Sequence, residues 1–254
     1  MNPDVNFSRN TVPHLAAGVP ADAGQLILHR RAALVRSVIQ QPGGHLLDFG
    51  CGNGAQTLLL ASDFTRTTGV DINEDFLKGF VEAAEALPKS TDIRVLATGG
   101  RPVDLPDASV DVATSFTVLE HVEDEMAVLK DLHRLLKPGG KLILSVPNRW
   151  WIFETHGADL PLLPWNRVPF VSWWPKALHD RWARARIYTR SDIIALAEAA
   201  GFQVDEVFQM TAPMDMIPWP AVRNLARQLV FRGDRTASPF LATEIFLVAS
   251  KAGS

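Results

Sequence analysis

The chain has 254 residues, of which 47% are hydrophobic and 21% are charged, and its formal net charge is −3. This composition is typical of a globular protein, and it lacks the surplus of basic residues that nucleic-acid binding usually requires, so we expect no nucleic-acid partner. No apolar run reaches the roughly 18 residues that a membrane-spanning helix needs.

The N-terminal part of the chain predicts a helix and no secretion signal. Residues 1–20 contain three prolines and no basic stretch that leads into an apolar run, so a secretory signal is not expected. Residues 24–40 have the apolar spacing of a helix, which should end before Pro42-Gly43-Gly44. With only one cysteine in the chain, an internal disulfide is excluded, and a cytoplasmic location is expected.

Short apolar runs then alternate with longer amphipathic ones. Strands are predicted at 45–49, 67–71, 93–97, 110–115 and 141–146, and helices at 55–62, 74–86 and 124–136. Such alternation indicates an α/β protein with a doubly wound, mostly parallel sheet and right-handed crossovers. We expect one domain over residues 1–254.

The first predicted strand runs into the glycine-rich sequence Gly50-Cys51-Gly52-Asn53-Gly54. Glycines at a strand-to-helix turn let backbone amides approach a ligand, which indicates a nucleotide cofactor. The spacing differs from the Gly-x-Gly-x-x-Gly of dinucleotide sites. Asp48 lies just before the loop, where its charge would oppose a pyrophosphate and favour a ligand with a cationic amino acid end. Asp71 ends the second strand, where a carboxylate can accept both hydroxyls of a ribose.

The stretch Leu47-Asp48-Phe49-Gly50-Cys51-Gly52-Asn53-Gly54 resembles the first motif of the class I S-adenosylmethionine-dependent methyltransferases. The resemblance continues in family order through residues 104–113, 119–122 and 135–144, and ends near Pro147-Asn148. By pattern, the chain is most similar to the small methyltransferases that resemble quinone-biosynthesis enzymes, the methyltransferase type 11 group. The resemblance implies a Rossmann-like sheet of seven strands, with 203–209 and 243–250 as the last two, residues 190–200 as the helix before them, and the final strand antiparallel.

The resemblance also implies a set of cofactor contacts, with S-adenosylmethionine as the donor and S-adenosylhomocysteine as the product. The implied cofactor-binding residues are Asp48, Gly50, Cys51, Gly52, Asn53, Gly54, Asp71, Ile72, Gly100, Arg101, Ser115 and Phe116. Arg101 stands where relatives usually have an acid that reaches the adenine amino group. A guanidinium only donates hydrogen bonds, so adenine recognition is left to the backbone or to Asp104.

A base is required only if the methyl acceptor is a hydroxyl. His121 follows the fourth strand directly and is the first candidate, followed by Glu154 and His156, which would face one side of an extended segment. Some relatives hold a divalent cation with a Glu-x-x-Glu-His motif at this place. Thr117 stands where the first glutamate would be, so we expect no metal.

Two segments, 149–189 and 211–242, exceed the minimal fold, and they contain all seven tryptophans. Both connections can reach the ligand-binding rim of the sheet, so we expect them to form a cap over the acceptor. Several arginines accompany the tryptophans. Three interpretations remain open: packing of the cap on the core, peripheral contact with a membrane that supplies a lipid-like acceptor, and nucleic-acid binding.

Together these observations predict methyl transfer to a small, largely apolar acceptor, through oxygen, on a lipid-like or secondary-metabolite hydroxyl. The alternatives are methylation of RNA or protein, and a non-catalytic interaction module that keeps the cofactor fold. The oligomeric state is left open by the sequence.

Overall fold

A computed structural model of the protein describes residues 18, 20, 25–39, 43–87, 92–154, 156–160, 163–165 and 169–253. The interpretation of residues 1–20 therefore lies almost wholly outside the described residues. The helices are α1 (Leu26–Val38), α2 (Ala55–Leu60), α3 (Glu74–Glu85), α4 (Glu125–Leu135), α5 (Lys176–Trp182), α6 (Arg190–Ala199) and α7 (Pro220–Leu229). The strands are β1 (His45–Phe49), β2 (Arg66–Asp71), β3 (Asp92–Ala97), β4 (Val110–Phe116), β5 (Leu136–Pro147), β6 (Ala158–Leu160), β7 (Leu163–Trp165), β8 (Phe202–Thr211), β9 (Arg235–Thr236) and β10 (Ala242–Lys251).

The main sheet has the strand order β3-β2-β1-β4-β5-β10-β8-β9. Strands β1 to β5 pair in parallel, whereas β10 runs antiparallel between β5 and β8. The predicted α/β fold with a mostly parallel sheet and a reversed, inserted last strand is confirmed. Because the strand order reverses between β1 and β4, a crevice opens at the carboxyl ends of these strands.

The sheet has one strand more than the seven that were predicted. The extra strand, β9, is two residues long and pairs with the outer edge of β8. The guanidinium of Arg235 lies over the ring of Phe208, 3.7 Å from its centroid, and also pairs with Glu206. These contacts hold the returning chain of segment 211–242 against β8.

Alternate residues of the central strands supply two separate cores. Leu47, Ala113 and Leu144 pack with α4 and α6 on one face of the sheet. Leu46 and Val112 pack with α1 on the other. Strand β1 is buried along its whole length, as a central parallel strand covered on both faces should be.

Side chains fix the starts of the helices that follow the binding edge. Asn73 accepts hydrogen bonds from the amides of Asp75 and Phe76 at the start of α3, and Asp124 accepts one from Ala127 at the start of α4. Such caps satisfy amides that have no partner inside the helix. Within the described part of the chain, no helix has both the length and the apolarity to cross a bilayer.

Candidate functional site

A cavity of about 290 Å³ lies at the carboxyl ends of β1, β2 and β4. Seven of the predicted cofactor residues line it: Asp48, Gly50, Cys51, Gly52, Asn53, Asp71 and Phe116. The predicted base His121 and the candidate His156 also line it. The sequence motifs thus converge on one space, as the switch point of an α/β sheet requires.

Glycine is required in the loop after β1 for steric reasons. Gly50 has φ +76°, a left-handed conformation that other residues rarely adopt, and an added Cβ would lie 2.3 Å from a methyl carbon of Val118. A Cβ on Gly54, at φ +77°, would lie 2.2 Å from the ring of Phe80. The first glycine allows the chain to turn beside the cavity, and the second lets α2 pack closely on α3.

The carboxylate of Asp71 joins the end of β2 to this loop. One oxygen accepts a hydrogen bond from the Gly52 amide at 2.8 Å, and the other accepts one from the Asn73 amide at 2.9 Å. Each carboxylate oxygen has a second lone pair, so the group keeps acceptor capacity toward the cavity. This position fits the predicted role of binding ribose hydroxyls.

Asp48 is a buried acid in the cavity wall. Its carboxylate accepts hydrogen bonds from the hydroxyls of Thr57 at 2.5 Å and Thr114 at 2.8 Å. Burial raises the pKa of Asp48, although these two hydrogen bonds lower it in part. A cationic ligand in the cavity would favour the charged form of this carboxyl.

The cavity wall also contains an ion pair that the sequence analysis missed. Arg31 on α1 donates to both carboxylate oxygens of Glu244 on β10, at 3.2 and 2.5 Å, and both side chains are nearly buried. Each residue interrupts an apolar pattern: Arg31 shares the buried face of α1 with Ile27 and Val35, and Glu244 lies in an apolar strand. The sequence signal that could have revealed this ion pair is a charged residue at a position where the pattern predicts an apolar one.

Cys51 lines the cavity as a protonated thiol. Its sulfur is buried, and burial raises the pKa of the thiol well above its ordinary value, with Asp48 and Asp71 adding to the effect. A thiol is a poor nucleophile, since the thiolate is the reactive form.

Glu120, His121 and His156 form a compact cluster at the side of the cavity. The carboxyl of Glu120 is fully buried and has no hydrogen-bond partner among the described residues, and its nearest imidazole nitrogen, Nε2 of His156, lies at 3.4 Å. The rings of His121 and His156 meet edge to face, with centroids 4.7 Å apart. Segment 149–189 therefore reaches this cavity through His156.

Burial disfavours the charged form of both members of the Glu120–His156 contact. Burial raises the pKa of Glu120 well above its ordinary value. Burial, with the charges of His121 and Arg31, lowers the pKa of His156 to about 3. A neutral imidazole can accept a hydrogen bond from a hydroxyl group in the cavity.

The donor atoms of Glu120, His121 and His156 all lie within 4.8 Å of one another. One carboxyl and two imidazoles suit a divalent transition metal by ligand type. The absence of a metal, expected from the sequence, stays a prediction.

Glu154 lies apart from this cluster. Its buried carboxylate accepts a hydrogen bond from Nε2 of His179 at 2.8 Å and one from the Ser172 hydroxyl at 3.5 Å. The expectation that Glu154 and His156 face the same pocket is wrong, because Glu154 turns back to stabilise the inserted segment. Its geometry favours a structural role.

Five of the predicted cofactor residues lie outside the cavity wall: Gly54, Ile72, Gly100, Arg101 and Ser115. Ile72 is exposed, and the hydroxyl of Ser115 is buried below the strand end. Asp104, named as a substitute adenine contact, does not line the cavity either. Phe76 on α3 does line it, and the sequence analysis missed this residue because helical spacing alone does not distinguish a core aromatic from a pocket aromatic.

A second cavity, of about 260 Å³, adjoins the first. The two share Ile27, Thr243 and Glu244 in their walls. The rest of the second wall is largely apolar and comes from both inserted segments, through Trp151, Phe153, Ala212, Pro213, Met214 and Met216. Aromatic and methionine side chains are typical of sites for apolar ligands.

Comparisons with known proteins agree with this geometry. Residues 22–207 match the family described as methyltransferase domain. A probable S-adenosylmethionine-dependent methyltransferase from Mycolicibacterium smegmatis is 34% identical over 164 residues, which cover 65% of this chain and 54% of that protein. A ubiquinone biosynthesis O-methyltransferase from Idiomarina loihiensis is 32% identical over 165 residues, covering 63% of this chain and 62% of that protein. The chain thus spans between about half and two thirds of the length of these relatives.

A solved structure supports the fold assignment. The crystal structure of an S-adenosylmethionine-dependent methyltransferase from Mesorhizobium loti superposes with a TM-score of 0.59 at 19% identity, over 87% of this chain and 98% of that one. At this identity the likeness concerns the fold alone.

Replacing Glu120 by glutamine tests whether its carboxyl is protonated in the folded protein. With the folded pKa raised, the folded chain keeps a proton that the unfolded chain loses above about pH 4.5. The free energy of unfolding should therefore fall as the pH rises past this value, by at most about 1.4 kcal/mol per pH unit. Glu120→Gln removes this pH-dependent loss of stability. In urea unfolding, the stability of the variant relative to wild type should therefore increase as the pH rises above about 5.

The exposed Glu82→Gln variant is the control for this experiment and should follow the wild type. His156, with its pKa lowered to about 3, contributes the opposite slope in all three proteins below about pH 6.5. Identical profiles for Glu120→Gln and wild type would mean that Glu120 is ionised when folded, as a divalent cation bound by the cluster would cause.

Replacing Asp71 by alanine tests the cofactor position. Loss of the carboxylate removes the proposed ribose acceptor and the hydrogen bond that fixes Gly52, so calorimetric titration should show S-adenosylmethionine binding at least about tenfold weaker. The exposed Asp75→Ala variant should bind like wild type. Unchanged affinity in a folded Asp71→Ala protein would refute the ribose role.

Proposed function

Since this chain belongs to the class I S-adenosylmethionine-dependent methyltransferases, we propose that it transfers a methyl group to a hydroxyl of a small, largely apolar acceptor. The observation that carries the proposal is the apolar second cavity, which adjoins the donor cavity beside Glu244. The cofactor is S-adenosylmethionine, as in the family. The 32% identity to an enzyme named as a ubiquinone biosynthesis O-methyltransferase supports oxygen as the acceptor atom.

The residues of the first cavity fit this cofactor. Asp48 and Asp71 give the wall an acidic balance, since Arg31 is paired with Glu244. Both amide atoms of the buried Gln56 lack a hydrogen-bond partner among the described residues, and this side chain lines the cavity. A cationic ligand rich in polar groups would satisfy these side chains. The volume of about 290 Å³ is near the lower end of the range for small-molecule sites.

Acceptor binding is assigned to the second cavity and to the cap formed by segments 149–189 and 211–242. Trp151 and Phe153 come from the first segment, and Met214 and Met216 from the second. Burying an apolar ring or chain among these side chains supplies binding free energy of about 25 cal/mol per Å² of apolar surface. The same burial excludes water from the transfer step.

Bound S-adenosylmethionine supplies a methyl group already activated by the positive sulfur, so the chain needs to align the acceptor and remove a proton. Asp71 and the loop of residues 50–54 fix the donor side. His156, neutral at physiological pH, donates its single N–H to the acceptor oxygen and so orients the hydroxyl, whose own proton points to His121. The hydroxyl proton passes to the imidazole of His121 as the oxygen–carbon bond forms and the carbon–sulfur bond breaks.

Labelled methyl transfer to a matched set of acceptors tests the proposal. We expect label on catechols and hydroquinones that carry an alkyl chain, with kcat/KM rising as the chain lengthens and fills the second cavity. Anilines of the same shape should be poor acceptors, because the proposed site activates a hydroxyl. Label in RNA or protein would favour the alternative methyltransferase classes, and binding without any transfer would favour a non-catalytic module.

Replacing His121 by alanine tests the proposed base. Turnover should fall about 100-fold or more, while the affinity for S-adenosylmethionine measured by calorimetry stays unchanged, since only proton removal is affected. His29→Ala, an exposed histidine on α1, is the matched control and should keep wild-type turnover. Survival of turnover in His121→Ala would mean that the base lies elsewhere or that none is required.

A further inference from the structure

Helix α7 turns its apolar face away from the protein. All ten of its residues are described, and none is buried. Val222, Leu225 and Leu229 lie on one face at helical spacing, and 51%, 54% and 61% of their surfaces are exposed. Trp219, at the helix start, is 67% exposed. A surface helix of a globular protein normally shows the opposite arrangement, with its apolar face on the core.

The side of α7 that faces the protein is polar. Arg227 donates to the carbonyl of Pro213 at 2.7 Å and pairs with Asp215 at 2.7 Å. Arg223 is half-buried on the same side. These contacts anchor the helix in its inverted orientation, so the exposure of the apolar face belongs to the fold.

The inserted segments carry a second group of exposed aromatic residues. Trp150, Trp173 and Phe240 are each at least 39% exposed, and Phe240 contacts both tryptophans edge to face. Phe231, just after α7, packs on the buried Trp151, which ties the end of α7 to the first inserted segment. The two inserted segments thus both carry exposed apolar side chains. Exposed apolar surface on α7 marks an interaction site.

The charge around α7 selects among possible occupants. Residues 216–233 contain three arginines, Arg223, Arg227 and Arg232, and no acidic residue. Arg227 is neutralised by Asp215, which leaves Arg223 and Arg232 unbalanced. A second copy of the chain docked face to face would bring like charges together, whereas anionic lipid headgroups would balance them. Tryptophan at the edge of an apolar face is typical of helices that lie at a membrane surface.

We propose that α7, with Trp219 at its start, docks the protein on an anionic lipid bilayer. The helix would lie in the interface with Val222, Leu225 and Leu229 among the acyl chains. Arg232 and the partly exposed Arg223 would lie near the phosphates, while Arg227 stays bound to Pro213 and Asp215. Pro213 and Asp215, which hold Arg227, also line the second cavity, as does Trp151. Docking therefore brings the second cavity to the bilayer surface, from which a lipid-like acceptor could enter it. Only this route of acceptor entry rests on the proposed function.

Vesicle sedimentation tests the proposal with the full-length protein. We expect binding to phosphatidylcholine vesicles that contain phosphatidylglycerol to exceed binding to phosphatidylcholine alone by about tenfold, and to weaken with added salt. The double variant Leu225→Glu, Leu229→Glu should bind the anionic vesicles at least about tenfold more weakly. Val81→Glu changes an exposed apolar residue on α3, outside both insertions, and should bind like wild type.

Tryptophan fluorescence gives a second readout that does not depend on sedimentation. Wild type should show a blue shift on adding anionic vesicles, and Trp219→Phe should lose most of that shift while still sedimenting. Absence of vesicle binding by wild type, or equal binding by wild type and the double variant, would overturn the proposal. Dimerisation in solution that the double variant abolishes would identify a second copy as the occupant instead.

A water-soluble acceptor keeps this test separate from the proposed reaction. The double variant should methylate a short-chain catechol at the wild-type rate, because Leu225 and Leu229 face solvent and α7 contributes no residue to either cavity. Vesicle binding without methyl transfer to any acceptor would contradict the proposed function and leave membrane docking standing. Methyl transfer without vesicle binding would contradict membrane docking and leave the proposed function standing.

Discussion

The hydrogen bond from the Gly52 amide to the Asp71 carboxylate, 2.8 Å long, is the contact on which the site depends. It joins the loop after β1 to the end of β2, so two strands adjacent in the sheet share one rigid edge. The left-handed conformation of Gly52 lets the amide reach that carboxylate. With this edge fixed, the backbone of residues 50–54 and the free lone pairs of Asp71 face one cavity, and the remaining walls come from strands and helices that pack against it.

The walls of the site combine stabilising and costly features. Arg31 and Glu244 compensate each other with paired hydrogen bonds, which reduces the cost of burying both charges between α1 and β10. Glu120 has no such compensation, since its carboxyl lacks a hydrogen-bond partner among the described residues, and burial raises its pKa. A buried acid that lowers stability beside two histidines is the kind of arrangement found where chemistry requires it. The destabilising group and the proposed base are neighbours in the chain.

The inserted segments present different side chains to the interior and to the solvent. Inward-facing residues such as Trp151 and Met214 line the second cavity, whereas Trp219 and Leu225 face outward. The buried Glu154–His179 hydrogen bond holds the first segment in place, and Arg227 holds α7 in the second. A single pair of insertions can in this way define the acceptor cavity and present an apolar outer surface next to it.

Much of this protein was determined by local sequence. The strand and helix positions follow from apolar periodicity, and the glycine loop with Asp71 identified the donor site, because strand order and turn chemistry are set by residues close together in the chain. The resemblance to a known family supplied the reversed last strand, which periodicity does not reveal.

Other features were decided only by the tertiary structure. Three contacts join residues that are between 25 and 213 positions apart in the chain: Arg31 with Glu244, Glu120 with His156, and Glu154 with His179. No local sequence pattern encodes such pairings. The outward direction of the apolar face of α7 was likewise decided by the tertiary structure. The sequence specifies that the helix is amphipathic, but the anchoring of Arg227 by Pro213 and Asp215 determines which face meets solvent, because orientation follows from packing against the rest of the chain.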